Sequence, residues 1–336
     1  MMDLEALTWH TPLWSRWCEA VASGRLGHAF LLVGQPGVGK QRLAARIAAG
    51  VLCEAAAQPP GEPCGRCRGC TLFLAGSHPD SVLVAAEEPG KSLNVDQIRE
   101  MVGKVALTTH FAGSKVVRIE AAESMTLAAS NALLKTLEEP PGRAVFILTS
   151  SRPSSLPITI RSRCQLWRVP DADRAQANAW LEEQGVAADL LEEAWTLAPG
   201  APLAMLRLAQ DDGLEQRRAL LADAEALAST RLDVVSAAAR WRALGASEAL
   251  QGLQRIAVQL ARSAILGTGQ RGFEALDRAS VTALYQALTE ARVQLGTGAG
   301  GVNETLLLER VAALWLTAAG PRARSGQGRA PARPRR

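Results

Sequence analysis

The sequence predicts an α/β chain: a parallel sheet built around a phosphate-binding loop, with a metal-binding insert, then a small helical lid and an all-helical region. Three observations predict it. Apolar runs alternate with helical patterns up to about residue 170, the string Gly34-Gln35-Pro36-Gly37-Val38-Gly39-Lys40-Gln41 joins the first run to the first helix after it, and strand signals stop after Pro170. Runs that are apolar almost throughout suit parallel strands covered on both faces.

The 336 residues, 48% of them hydrophobic, can furnish sizeable cores for two or three domains. No run approaches the roughly 18 apolar residues that cross a bilayer, and Met1-Met2-Asp3-Leu4-Glu5 carries acids where a signal peptide would carry basic residues, so a cytosolic location is expected. The net charge of +4 is concentrated at one end. Pro321 to Arg336 holds six arginines and no acid, and the remaining 31 basic residues face 33 acids, a net of −2. That basic tail cannot bury a core and is expected to be disordered. The near-neutral body gives no compositional argument for direct DNA binding.

Residues 1–27 read as a helical lead-in with Trp14, Trp17, Cys18 and Val21 on one stripe, a core pattern. Strand one is His28 to Val33. The loop that follows lets successive N–H groups curl around an anion, the helix from about Lys40 to Leu52 adds its dipole, and Lys40 adds a mobile charge. Three of the four fixed positions of G-x-x-x-x-G-K-[ST] are present. Gln41 stands where a hydroxyl would bind Mg²⁺, so phosphate binding is better supported than metal-assisted hydrolysis.

Cys53, Cys64, Cys67 and Cys70 follow, spaced C-x10-C-x2-C-x2-C and punctuated by Gly61, Pro63, Gly65 and Gly69. Four reduced thiolates at this spacing suit a tetrahedral, structural Zn²⁺ with no position left for a substrate. Cys18 and Cys164 lie outside the cluster and read as small apolar residues.

Asp80 to Ala85 is the second strand, Val95 to about Leu107 a helix, and Lys115 to Ile119 the third strand, ending at Glu120-Ala121. A P-loop ATPase places an acid for Mg²⁺ and a water-activating residue at this strand end. Here the second position is a methyl group. Thr126 caps a helix from Leu127 to Glu138 that Pro140-Pro141 terminates, with Leu133, Leu134 and Leu137 facing inward. Val145 to Thr149 and about Gln165 to Val169 are the last two strands. Short helical patterns at Arg174 to Gln184, Ala187 to Leu197 and Pro202 to Ala209 form the lid. Longer helices fill Leu214 to Ala318, with stripes at Leu250, Leu253, Ala257, Leu260 and Ala264 and at Leu307, Val311, Leu314 and Ala318. Breaks are expected near Gly245, Gly267 and Gly296 to Gly301.

Four strings together resemble the bacterial clamp-loader ATPases of the AAA+ class. They are Gly27-His28-Ala29-Phe30-Leu31-Leu32-Val33-Gly34 with the phosphate loop, the four-cysteine insert, Asn131-Ala132-Leu133-Leu134-Lys135-Thr136-Leu137-Glu138-Glu139-Pro140-Pro141, and Ser162-Arg163-Cys164. The resemblance is strong over about residues 20–170 and rests on layout alone beyond. It implies a nucleotide-binding-like domain over 1–170 with the zinc insert at 53–70, a lid over 171–209, an oligomerising collar over 210–320 and the tail over 321–336. Against the motor subunit's pattern, Gln41, Ala121 and Leu203 replace a hydroxyl, a catalytic glutamate and a phosphate-sensing arginine. The resemblance therefore implies a non-hydrolysing subunit of a DNA polymerase III holoenzyme, in a hetero-pentameric ring with tau/gamma and delta subunits that loads the sliding clamp on primer-template DNA at the replisome. Arg163 would act in trans as an arginine finger, Gly34, Gly37, Gly39, Lys40 and Gln41 would line a site that can take ATP or ADP, and zinc would be structural. Two alternatives stay open: an active clamp-loader ATPase in which Glu120 performs both acidic roles, and a stand-alone zinc-containing nucleic-acid-binding module.

Overall fold

A computed structural model of the chain describes residues 4–24, 26–55, 61–88, 91–111, 113–210, 213–266, 273, 277–296 and 303–319. It divides into two compact units, Met1–Gln210 and Asp211–Arg336. The expected disordered tail and the breaks expected near Gly267 and over 297–301 lie outside the described residues.

In the first unit five strands, β1 (Ala29–Val33), β2 (Ser81–Val84), β3 (Lys115–Ile119), β4 (Ala144–Ser150) and β5 (Gln165–Arg168), make one parallel sheet in the order β2-β3-β4-β1-β5. Every residue of β1, β3 and β4 is buried, as expected of central strands with both faces covered. Side chains alternate between the faces. Phe30, Leu32, Val116, Ile147 and Trp167 pack against α1 (Thr11–Ala22) and α2 (Lys40–Leu52), while Leu31, Val117, Phe146 and Leu148 pack against α4 (Val95–Ala106) and α5 (Leu127–Glu138), with α3 (Arg68–Leu74) joining the first face through Phe73. Trp17, on the predicted stripe, meets Phe30 and Trp167 edge to face.

Some features escape the sequence reading. Residues Arg68–Leu74 form a helix whose N-cap is Cys67, and α4 begins with a reciprocal capping box between Asn94 and Gln97. Thr126 caps α5 as expected, its hydroxyl accepting from Ala129 N. A short α6 (Ile158–Arg161) precedes β5. The segments α7 (Arg174–Glu183), α8 (Ala188–Leu197) and α9 (Pro202–Gln210) share a core of Ala177, Trp180, Leu181, Leu191 and Met205 with Leu7 and Trp9 of the lead-in.

The second unit holds α10 (Gly213–Ala228), α11 (Val234–Ala243), α12 (Ala246–Leu266), α13 (Arg278–Gly296) and α14 (Glu304–Ala319) around Trp241, Leu250, Leu253, Leu288 and Trp315. Two stripe positions differ from expectation. Ala264 is exposed near the end of α12, and Leu314 is exposed at 38% while Trp315 is fully buried. Helix α14 is apolar almost all round, so its period admits neighbouring faces, and the core took the one centred on Leu308, Val311, Ala312 and Trp315.

Candidate functional site

The phosphate loop sits where β1 meets α2, at the carboxyl end of the sheet beside β4 and β5. Its shape depends on glycine. Gly37 and Gly39 have φ of +87° and +88°, and a Cβ on Gly37 would lie 2.5 Å from that of Ala204. The loop therefore touches α9 and the turn before it. Leu203 N donates to Gly37 O at 3.0 Å, and Gln35 Nε2 donates to Pro199 O at 2.9 Å. The lead-in braces the other side, with Trp9 Nε1 and His10 Nε2 both donating to Val38 O at 2.9 and 2.7 Å.

Lys40 is buried and turned onto its own chain. Its ammonium donates to Gly34 O (3.0 Å), Gln35 O (2.9 Å) and Ser151 Oγ (2.8 Å), which uses all three of its N–H groups. Burial lowers its pKa, and Glu123 opposes that fall. Glu123 in turn accepts from Ser151 N at 3.0 Å, and its second oxygen is buried with no hydrogen-bond partner among the described residues. Sequence reading missed Ser151 and Glu123, which lie far apart in the chain and meet because β3 and β4 are neighbours. Gln41 is exposed on the first turn of α2. At the end of β3, burial raises the pKa of the Glu120 carboxyl and Arg118 counters it. Ala121 holds a left-handed φ of +47°, its N–H on Thr149 Oγ1 at 3.2 Å. A methyl there cannot take a proton from water.

The four cysteines of the insert converge. Their sulfurs all lie within 4.8 Å of one another, with Cys53–Cys67 at 3.9 Å and Cys64–Cys70 at 4.0 Å. Four bonds of about 2.3 Å to a tetrahedral ion would separate sulfurs by about 3.8 Å. The donor set therefore fits such an ion, and the separations are far beyond a disulfide bond. Backbone N–H groups of Cys64, Cys67 and Cys70 point at the sulfurs of Cys53, Cys64 and Cys67 in turn. Backbone N–H groups of Arg66 and Cys67 lower the Cys64 thiol to about 6, whereas burial pushes Cys53 and Cys70 up. Ionising the whole set calls for a cation. The insert is clamped to α1 and α2: Arg46 binds both oxygens of Glu62, at 2.7 Å and 2.9 Å, and stacks on Trp14, which donates to the same carboxylate at 2.6 Å. Gly50 has no Cβ because Gly61 O occupies that space, 2.0 Å from where one would be.

Arg163 stands apart, beyond α6 and before β5. Its guanidinium pairs with Glu138 at the end of α5, Nε on Oε1 at 2.7 Å with Nη2 on the same oxygen, and Nη1 donates to Thr159 O at 2.8 Å. The two side chains are 31% and 47% exposed.

A family profile described as DNA polymerase III, delta subunit, matches residues 9–173. DNA polymerase III subunit delta' of Pseudomonas aeruginosa is 38% identical over 238 residues, 70% of this chain and 71% of that protein. The chain belongs to the DNA polymerase III delta-prime family. The Escherichia coli K12 delta' subunit is 38% identical over 63% of each chain. Subunit tau of Bacillus subtilis is also 38% identical, over 44% of this chain and 25% of its own length. Likeness to delta-prime thus extends well past the stretch shared with tau. No helix among the described residues is long and apolar enough to cross a membrane.

Proposed function

We propose that this delta-prime family chain is the non-hydrolysing member of a clamp-loader ring, bracing the assembly and donating Arg163 to a neighbouring subunit's ATP site. One observation carries the reading: the contrast between a closed phosphate loop and an arginine that stays partly open to solvent. In-line phosphoryl transfer needs metal ligation, an oriented water and a charge to stabilise the transition state. On this chain Gln41 offers an amide, Ala121 a methyl and Leu203 an isobutyl group, while Lys40 is engaged by its own loop. Arg163 lies apart from that loop, in the turn between α6 and β5, with its side chain partly exposed.

The ring would include tau/gamma and delta subunits and act on the sliding clamp and primer-template DNA in the cytoplasm, at the replisome. Residues 1–170 serve as the nucleotide-fold domain, 171–209 as lid and 210–320 as collar. Cys53, Cys64, Cys67 and Cys70 hold Zn²⁺, which ties the insert together and leaves no open coordination position. ATP or ADP binding at Gly34, Gly37, Gly39, Lys40 and Gln41 requires a phosphate to displace Lys40 from Gly34 O and Gln35 O.

The test is ATP binding and hydrolysis by the purified chain, alone and then in the reconstituted ring. Alone it turns over no ATP above background. In the ring, Arg163→Ala lowers DNA-stimulated turnover at the site it serves by a factor on the order of 10³, the low end for an arginine finger, with assembly intact. Brisk hydrolysis by the isolated chain, abolished by Lys40→Ala, would instead establish the active-ATPase reading.

A further inference from the structure

We propose that Glu138 is the positioning residue for Arg163, holding the guanidinium by one edge so that the remaining N–H groups are presented to a phosphate of the neighbouring subunit. The inference rests on the reading of Arg163 above. Nε and Nη2 both donate to Glu138 Oε1, and Nη1 donates to Thr159 O at 2.8 Å, so three of the five N–H groups of the guanidinium are fixed and two remain for an incoming anion. An arginine has many rotamers, and one already held in its working orientation gives up less freedom when it docks.

Stability does not account for the pair. Glu138 is exposed and Arg163 partly so, and ion pairs in such places contribute little. Glu138 is also the last residue of α5, where a carboxylate meets the negative end of the helix dipole, an adverse place for an acid unless a cation answers it. Both supports are anchored in the core. Leu133 and Leu137 are buried beneath the end of α5, Leu137 O is bound by His28 Nε2 at 2.8 Å, and Ile160 anchors α6 with no exposed surface. A side chain that must meet a reacting group in another subunit belongs on such a frame, since misplacement of about 1 Å can cost ~10² in rate.

The test is a double-mutant cycle in the reconstituted ring with primed DNA, using full-length chains and reading kcat and KM for ATP at the site that Arg163 serves, with the ring's other ATP sites inactivated. Glu138→Ala is expected to lower kcat about 10-fold, inside the ~10² range for misplacement, with KM unchanged. Glu138→Gln keeps an oxygen acceptor in place and restores much of the loss. In an Arg163→Ala background, Glu138→Ala has no further effect. The proposal is overturned when Glu138→Ala leaves kcat within about 2-fold of wild type, or when it lowers kcat by the same factor with and without Arg163. Either result leaves the arginine-finger reading standing, whereas an Arg163→Ala ring of wild-type kcat removes both.

Discussion

Val38 offers one carbonyl oxygen to two rings, and that single atom ties the lead-in to the phosphate loop. Of its two donors only His10 has a titratable ring. Burial holds its pKa down to about 4, with Arg46 and Arg42 adding to the fall and the bond to Val38 opposing it. Its folded value therefore lies below the ordinary 6.5, so the unfolded chain binds the proton more readily. The neutral ring's contribution is complete above about pH 6.5 and is lost as the pH falls toward 4, with a slope approaching about 1.4 kcal/mol per pH unit. Urea unfolding of the chain at pH 7 and pH 5 should show this loss, and His10→Gln, whose amide can still donate, should reduce it. A pH dependence identical in the variant would remove His10 from the account. The same scale explains Gly37 and Gly50. One needs a positive φ and a close approach to Ala204, the other only the close approach of Gly61 O, so substituting either forces loop or insert outward.

At the scale of elements, the insert brings together four thiols that could hold a metal ion. Its four thiols are set close together, and burial resists ionisation of two of them. Changing Cys64 and Cys67 together to Ser should release the metal, measured as loss of bound zinc by atomic absorption, and lower the melting temperature of the first unit. A wild-type chain purified without metal and equally stable would count against the zinc assignment. Glu62 gives a second, independent handle on the same element. Glu62→Ala leaves Arg46 and the Trp14 N–H without their carboxylate and should cost on the order of 2 kcal/mol of first-unit stability, while leaving zinc content unchanged. Metal loss in that variant would mean that docking of the insert and assembly of its ligands are one event.

For the whole molecule, charge decides the expectation about DNA. With Pro321 to Arg336 removed the chain carries a net −2, so that truncation should bind duplex DNA weakly and with a shallow salt dependence. Tight, steeply salt-dependent binding would favour the nucleic-acid-module reading. The phosphate loop, the cysteine spacing and the apolar strand runs were legible because each is a local pattern: a turn that needs glycine, a ligand set that needs short spacing, a strand buried on both faces. Less legible were the elements whose signal is weak or shared among faces, such as α3, α14 and the end of α12, where tertiary packing chose among near-equivalent helical registers. The chain's local chemistry thus set by itself a glycine-rich loop of phosphate-binding pattern, with Gln41 and Ala121 at two positions where that pattern expects other groups, and a four-thiol cluster. Only the tertiary structure decided that Lys40 closes onto Ser151 beside Glu123, that Leu203 rests on Gly37, and that Glu138 grips Arg163. Those contacts join residues on different strands and helices, and their partners are fixed by sheet order and helix packing, which no single stretch of sequence encodes.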